Sequence, residues 1–338
     1  MRFVPRRLVL SLKTHEPYTV VIPVRNGLKY LCGAINSVLV QTAQPSEIIV
    51  VDDHSDDGLL DTDIKQWISS GVNVRLVPSY GYGVSAARNT GISLANTNCI
   101  ALLDVDDLWL PNKMEKQLSI YTSSRFVHTG YYLVKDNLDI IGIRNPEKTA
   151  TTESIYSQEY LVTGSASAAV FSKSSFTEAG FFDESLFIGE DLDLWIRLSS
   201  ILEFVSIYEP LVKIRRHEES VQSLGNDTSY LFNELQSLLR IWNKNNHLCP
   251  NARIPINNVM GSYFASTKFS PISFMKLVSN RKFMNEYRLC ANSSKFDPFL
   301  TYLFRLKNIL IYKFILQVRK SKAFRGIHKL ILILAGKI

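Results

Sequence analysis

The sequence predicts an α/β protein: a mostly parallel sheet flanked by helices, followed by a helical, basic C-terminal extension. Short apolar runs alternate with amphipathic stretches over roughly the first hundred residues, a pattern typical of parallel sheets whose crossovers are helices. Clusters of polar residues follow several of the apolar runs. Basic residues concentrate at the other end of the chain, where residues 281–338 contain 13 Lys and Arg against two acids.

The predicted elements follow one another in a regular order. Each predicted strand is a short run rich in β-branched or other apolar residues, such as YTVVIPV at 18–24. Each predicted helix repeats apolar residues at three- and four-residue spacing, as Leu31, Ile35 and Val38 do. The predicted strands are 18–24, 47–51, 72–77 and 99–103, and the predicted helices are 28–41, 59–69 and 83–95.

The pattern loosens after Pro111. A helix is predicted over 191–200 and a strand over 211–215, and the chain becomes mostly helical and basic from about residue 226. We therefore expect a sheet domain over 1–222, with a regular half (about 17–110) and a looser half (about 111–222). A helical basic region, 223–338, follows it.

Composition excludes several classes of protein. With 338 residues, 46% hydrophobic and 20% charged, the chain is long and apolar enough for one large or two ordinary domains and is not a disordered protein. The sequence contains no uncharged apolar stretch of about 18 residues, so no transmembrane helix is predicted. The four cysteines form no CxxC pair, which predicts neither a zinc site nor a disulfide framework and favours a reducing cytoplasm.

Asp104 and Asp106 follow the fourth predicted strand. Alternate residues of an extended segment point the same way, so both carboxylates can face one site. Such oxygen ligands suit Mg²⁺ or Mn²⁺, which also take phosphate oxygens and water, so a diphosphate substrate is the natural partner. The alternative is that these acids only cap the next turn.

Three further positions offer polar groups with two interpretations each. Asp52 and Asp53 can accept a hydrogen bond from a base or ribose, or can form an Asx-turn. Glu190 and Asp191 suit the first turn of a helix as caps, and the same helix dipole keeps a carboxylate ionised, as a general base requires. A lone histidine such as His217 is more often structural or solvated than a ligand.

Seven segments follow one another in order over about residues 17–222. They are VIPVRN (21–26), SVLVQT (37–42), VDDHSDDG (51–58), GVSAARNTG (83–91), LDVDD (103–107), AGFFDE (179–184) and GEDLDLWIR (189–197). Together they resemble the motifs of family-2 glycosyltransferases with the GT-A fold. Two positions depart from the family pattern: Arg25 stands where Tyr is usual, and His54 where Gly is commoner. The Gln-x-x-Arg-Trp motif of the processive synthases is not found in the sequence, so the resemblance implies single transfers.

The resemblance implies a role for each matching residue. The regular half of the sheet domain would bind the nucleotide and the looser half the acceptor, with Mn²⁺ or Mg²⁺ between them. Asp191 would be the general base, and Asp106 would bind the metal. His217 would add a metal or diphosphate contact. Donor-binding roles fall to Pro23, Asn26, Asp53, Arg88 and Asp104, with Asp53 accepting the uracil N–H and Asp104 contacting the ribose; Ser165 and Glu190 lie on the acceptor side.

The reaction implied is an inverting transfer of a hexose-type sugar from a nucleotide-diphosphate sugar to a hydroxyl of a saccharide acceptor. Family frequency favours uridine as the base. Family habit implies a lipid-linked acceptor, such as a polyprenyl diphosphate, in cell-surface polysaccharide biosynthesis. Two alternatives stay open. The first is a nucleotidyltransferase, which would need a glycine-rich phosphate loop after the first strand; residues 24–27 match such a loop poorly. The second is a non-catalytic nucleotide-sugar binding module, which would not need the three carboxylates Asp104, Asp106 and Asp191.

The basic C-terminal region predicts contact with an anionic membrane surface. Residues 299–319 leave a broad apolar face on a helical wheel, and 319–329 add five basic residues; basic amphipathic helices lie in the interface of anionic bilayers. The alternative is that these helices pack on the catalytic domain or form a dimer. The rest of the chain is net acidic, so no nucleic-acid partner is expected. We expect a cytoplasmic protein, peripheral on the inner face of the plasma membrane.

Overall fold

The computed structural model describes residues 15–59, 73–146, 149–157, 165–216 and 228–249. The predicted helix 59–69, His217 and the amphipathic segment from 299 lie outside the described residues, apart from Leu59. The sequence-based fold class is confirmed: the sheet is mixed but parallel over its first four strands, and helices flank it.

The first half of the sheet is built from strand–helix units. Its order is β3-β2-β1-β4, and each neighbouring pair is parallel. Predicted and observed boundaries agree within two residues for every described element of this half. The strands are β1 (Tyr18–Val24), β2 (Glu47–Asp52), β3 (Asn73–Pro78) and β4 (Cys99–Leu102), and the helices are α1 (Leu28–Leu39) and α2 (Val84–Leu94).

The second half extends the same sheet in the order β4-β8-β6-β9-β5, with β7 on β6. Here antiparallel pairs predominate, and only β6 and β9 are parallel. The strands are β5 (Leu108–Trp109), β6 (Arg125–Lys135), β7 (Ile140–Arg144), β8 (Ala169–Ser172) and β9 (Glu203–Arg216), and the helices are α3 (Lys113–Leu118), α4 (Thr152–Tyr156), α5 (Lys173–Ala179), α6 (Glu190–Ser199) and α7 (Thr228–Asn245).

The core lies on both faces of the parallel strands. All residues of β1, β2 and β4 are buried, which explains their nearly continuous apolar sequences. Helix α2 packs directly on β1, and a Cβ at Gly91 would lie 2.4 Å from Val21 Cγ1. A glycine at this position therefore lets the helix approach the strand closely enough to place its N-terminus beside the strand ends.

Helix α7 packs on the sheet domain through polar contacts. Trp242 Nε1 donates to the carbonyl of Tyr156 at 3.1 Å, and the Tyr156 hydroxyl donates to the Trp242 carbonyl at 3.0 Å. In addition, the fully buried Asp193 of α6 accepts hydrogen bonds from Lys244 at 3.1 Å and Asn245 at 2.8 Å. No helix in the described part of the chain is both long and apolar enough to cross a membrane.

Candidate active site

The polar clusters predicted from the sequence come together at the carboxyl ends of the parallel strands. Asn26 follows β1, Asp53 follows β2, and Asp104 lies two residues after β4. The N-termini of α2 and α6 meet the same cluster through Gly83, which contacts Asp53, and Glu190, which pairs with Arg88. This is the edge of the sheet at which open α/β folds bind ligands.

Asp53 is buried at the start of the acidic turn. Its two carboxylate oxygens accept the Gly83 N–H at 2.9 and 3.0 Å, and its own N–H donates to the carbonyl of Val24. The Arg25 guanidinium approaches it to 3.9 Å from solvent. Because carboxylate oxygens each accept more than one hydrogen bond, Asp53 keeps the capacity to accept an N–H from a ligand.

Pro23 and Asn26 shape the turn between β1 and α1. Pro23 pairs with Val51 of β2 and lies beyond Val21, the last residue of β1 that pairs with β4. The N–H that proline lacks therefore interrupts no hydrogen bond between paired strands. Asn26 adopts φ 50°; its N–H donates to Ser55 Oγ at 3.0 Å, and its Oδ1 accepts from the Asp56 N–H at 2.9 Å. Both residues thus hold the β1 end against the acidic turn, and their predicted contact with the base stays a prediction.

Asp104 and Asp106 lie in a turn, so the extended geometry expected from the sequence is wrong. The turn closes because the Asp107 N–H donates to the Asp104 carbonyl at 3.0 Å. Asp107, which the sequence analysis passed over, is the buried acid of the group, with 2% exposure. It accepts from Ser165 Oγ at 2.9 Å, Ser167 Oγ at 2.6 Å and the Arg215 N–H at 3.2 Å.

The environment of Asp107 fixes the turn. Burial, together with the charges of Asp106 and Asp104, raises the pKa of Asp107, while hydrogen bonds from the two serines oppose that change. The Arg215 side chain also donates through Nε to the Asp106 carbonyl at 3.0 Å. The end of β9 therefore anchors the turn that presents the Asp106 side chain.

The carboxylates offer a restricted metal site. Among the described residues no three His, Cys, Asp or Glu side chains cluster in a way that would hold a metal ion. Asp104 is engaged by Arg88 at 2.7 Å and by Ser165 at 3.1 Å. The half-buried Asp106 on the same turn fits a cation that takes one or two protein carboxylates and completes its shell with phosphate oxygens and water, as Mg²⁺ does.

Arg88 links the two halves of the sheet domain. It is 5% exposed, and its guanidinium pairs with Asp104 at 2.7 Å and with Glu190 at 2.8 Å. Burial by itself lowers the pKa of Arg88, but Asp104 and Glu190 raise it more, so the net change is upward. The sequence analysis expected this residue beside the nucleotide; its contacts in the structure are with two carboxylates of the site.

Asp191 is in the first turn of α6, after Gly189, whose φ of 81° is left-handed and suits glycine. Its Oδ1 accepts the Leu192 N–H at 2.7 Å. Burial and the neighbouring Glu190 charge raise the pKa of Asp191 to about 6, although Arg88 acts in the opposite direction. A carboxylate with this pKa is ionised at neutral pH and is a better proton acceptor than an ordinary aspartate.

The predicted site residues thus form two groups. One is joined by direct contacts between side chains, and the other lies beside it at the strand ends. The structure joins Arg88, Asp104, Glu190 and Ser165 by direct contacts, and Asp191 is electrostatically coupled to three of them, Arg88, Asp104 and Glu190. Pro23, Asn26 and Asp53 lie at the adjoining strand ends. Sequence reasoning gave no role to Asp107 or Arg215. The sequence signal for Asp107 was its position as the third acid of the Asp-Val-Asp-Asp run.

The chain is similar to several known proteins. Residues 19–179 match the family model described as glycosyl transferase family 2. An uncharacterized glycosyltransferase of Rickettsia typhi is 28% identical over 241 residues, which cover 69% of this chain and 73% of the relative. Another, from Methanocaldococcus jannaschii, is 26% identical over 232 residues, covering 66% and 78%. Residues 19–179 therefore form a glycosyl transferase family 2 domain, and its similarity to these relatives indicates a glycosyltransferase.

Two further similar proteins have more informative names. WfgD of Escherichia coli, a UDP-Glc:alpha-D-GlcNAc-diphosphoundecaprenol beta-1,3-glucosyltransferase, is 33% identical over 127 residues, which cover 37% of this chain and 49% of WfgD. The crystal structure of S. aureus TarS 1–349 in complex with UDP-GlcNAc superposes with a TM-score of 0.58 at 16% identity, covering 80% of this chain and 79% of that one. The likeness to TarS shows that the fold is of the GT-A type.

Proposed function

We propose that this enzyme transfers a hexose-type sugar, with inversion, from a nucleotide-diphosphate sugar to a hydroxyl group of a saccharide acceptor. The observation that carries the proposal is the Arg88 bridge, which joins Asp104, at the strand end where a donor would bind, to Glu190, the neighbour of the raised-pKa Asp191. The bridge thereby holds the carboxylate proposed to bind the sugar donor and the proposed general base in one cluster. The WfgD and TarS names support a uridine-diphosphate sugar as the donor.

The proposed reaction is a single displacement. Asp191 accepts the proton of the acceptor hydroxyl while that oxygen attacks the anomeric carbon. The bond between the anomeric carbon and the diphosphate oxygen breaks, and its electron pair leaves with the nucleoside diphosphate. Attack occurs opposite the leaving group, so the configuration at the anomeric carbon inverts, by the logic that also governs inverting glycosidases.

Asp106 would hold a divalent cation, Mn²⁺ or Mg²⁺, against the diphosphate. Such a cation, when bound, neutralises negative charge that develops on the leaving group. The chain's own contribution is to hold the Asp106 backbone in place, through the Arg215 Nε bond to its carbonyl and the hydrogen bonds on Asp107. Ser165 supports the turn from the other side, because its hydroxyl lies within hydrogen-bond distance of both Asp104 and Asp107 and can donate its one proton to either.

For the acceptor, we propose a lipid-linked saccharide at the cytoplasmic face of the plasma membrane. Support comes from the name of WfgD, which includes a diphosphoundecaprenol acceptor, and from the five basic residues at 319–329. Replacing these five with Gln should reduce flotation of the full chain with anionic liposomes, since each basic residue near such a surface contributes about 1 kcal/mol. Equal flotation of both proteins would remove this role from the basic region.

A panel of donors tests the proposed reaction. The enzyme is incubated with Mn²⁺ and each of several UDP-, GDP- and dTDP-sugars, and free nucleoside diphosphate is measured, because many transferases slowly hydrolyse their correct donor. Release from one donor, faster with a suitable acceptor, is expected. Formation of a nucleotide sugar with release of pyrophosphate would instead show a nucleotidyltransferase. Donor binding without any turnover would show a binding module.

A further inference from the structure

His54 and Tyr82 form a stacked aromatic pair beside Asp53. The ring centroids are 4.1 Å apart, and the ring planes differ by 16°. His54 follows β2, whereas Tyr82 precedes α2, so the pair closes the gap between the acidic turn and the glycine-rich turn. Tyr82 is 75% exposed, so the stack presents aromatic surface to solvent at the strand ends.

The backbone of His54 is in an uncommon conformation. Its φ is 58°, in the left-handed region, which is uncommon for residues other than glycine although Asn, Asp and His adopt it more often than other residues. Left-handed residues that persist beside a binding site point to a role for their side chains there.

The surroundings of the pair suit a nucleobase. His54 Nδ1 lies 3.4 Å from Asp53 Oδ1, and the Gly83 N–H, next to Tyr82, donates to the same carboxylate. Aromatic surface therefore adjoins a carboxylate that accepts N–H groups. The Arg25 side chain is 60% exposed, and its guanidinium lies 3.9 Å from Asp53 Oδ2, so it adds hydrogen-bond donors next to that acceptor.

We propose that His54 and Tyr82 form the stacking platform for the nucleobase of the donor, and that together with Asp53 and Arg25 they set its base preference. This inference rests on the proposed function, which requires a nucleotide donor. Any base can stack on such a platform, since every base has a π-face. Discrimination comes from the base edge that meets Asp53 and Arg25.

The hydrogen-bond pattern of that edge favours uracil. Asp53 accepts an N–H, and the Arg25 guanidinium donates to a neighbouring carbonyl oxygen. Uracil, thymine and guanine each have a ring N–H next to a carbonyl, whereas the corresponding ring nitrogens of cytosine and adenine are acceptors and would face the carboxylate unfavourably. Among the first three, uracil is the base suggested by the names of WfgD and TarS.

The test compares His54→Gly, His54→Asn and Tyr82→Ala with the wild type by calorimetric titration of the full chain with UDP and Mn²⁺. Gly and Asn both tolerate the left-handed backbone, so the thermal midpoints of these His54 variants should equal or exceed that of the wild type. Base–aromatic stacking contributes enough that UDP should bind at least about fivefold more weakly to all three variants, since each lacks one ring of the pair. Tyr80→Ala is the matched control, because Tyr80 is on the same loop and is 74% exposed.

Two further probes separate stacking from a general loss of the site. Inorganic pyrophosphate with Mn²⁺ should bind equally to wild type and variants, since it has no base. Arg25→Ala should reduce the preference for UDP over CDP. The inference is overturned if the three ring-removing variants bind UDP within twofold of wild type, or if they lose pyrophosphate affinity to the same extent. If the wild type binds no nucleoside diphosphate at all, the proposed function fails and takes this inference with it.

Discussion

Arg88 and Glu190 meet across the two halves of the sheet domain, with 2.8 Å between guanidinium Nη1 and carboxylate Oε1. Nη2 of the same guanidinium holds Asp104 at 2.7 Å. One buried cation thus fixes a carboxylate from the end of β4 and another from the first turn of α6. Because Asp191 follows Glu190 directly, the bridge also limits where Asp191 can lie relative to Asp104.

Replacing Arg88 by Lys should lower turnover by about 10- to 100-fold. A single ammonium cannot span two carboxylates, so one of them loses its partner, and small misplacements of catalytic groups have effects of this size. The measurement is kcat for sugar transfer. Arg75→Lys is the matched control, because Arg75 pairs with Glu47 at 2.9 Å outside the site. Turnover of Arg88→Lys equal to that of Arg75→Lys would contradict the prediction.

Asp191→Asn should abolish transfer and leave donor binding within about threefold of wild type. The amide cannot accept the acceptor proton, whereas the donor contacts proposed for the strand ends are unchanged. Steady-state transfer and UDP titration measure the two effects separately. Wild-type turnover in this variant would rule out Asp191 as the base.

Turnover should fall on the acidic side of about pH 6. Asp191 must be ionised to act as a base, and burial with the Glu190 charge raises its pKa to about 6. Its ionised fraction therefore drops about tenfold per pH unit below that value, and kcat should follow it. A kcat profile from pH 5 to 8, measured with protein shown to remain folded, checks this. A profile that is flat down to pH 5 would disagree with the assigned base.

Removal of divalent cations by EDTA should stop transfer, and added Mn²⁺ should restore it. Asp106→Asn should raise the Mn²⁺ concentration needed for half-maximal activity by about tenfold or more, because it removes a charged ligand. The control is Asp139→Asn, whose carboxylate lies on the exposed β6–β7 connection. Full activity in a metal-free preparation would remove the metal role from Asp106.

Asp193→Asn should lower the free energy of unfolding without affecting the catalytic groups. Asp193 is fully buried and accepts from Arg197 and Lys244. Neutralising it removes the carboxylate partner of the largely buried Arg197 guanidinium, which costs about 3–5 kcal/mol, whereas Lys244 keeps its pair with Asp183. Chemical denaturation measures the free energy of unfolding. Glu203→Gln, which breaks a surface pair with Arg125, should cost less than about 1 kcal/mol. Equal losses in both variants would contradict the prediction.

Local patterns in the sequence were sufficient to predict the first half of the sheet. Continuous apolar runs predicted β1 with its observed bounds, because these strands are buried on both faces. Together with the helical spacing of apolar residues, they placed the other described elements of that half within two residues. The second half was harder to predict. Strand β9 runs from Glu203 to Arg216, much longer than predicted, because its middle is partly exposed and contains Pro210, so its sequence lacks an apolar run.

The sequence by itself determined which chemical groups follow which strands, because strand ends and acidic turns are encoded within a few neighbouring residues. Only the tertiary structure decided which acids are buried and how they are paired. Arg88 and Glu190 are 102 residues apart in the chain, and Arg215 and Asp107 are 108 apart. Burial and pKa depend on such distant partners, so three acids that look equivalent in the Asp-Val-Asp-Asp run acquire different roles once the chain folds.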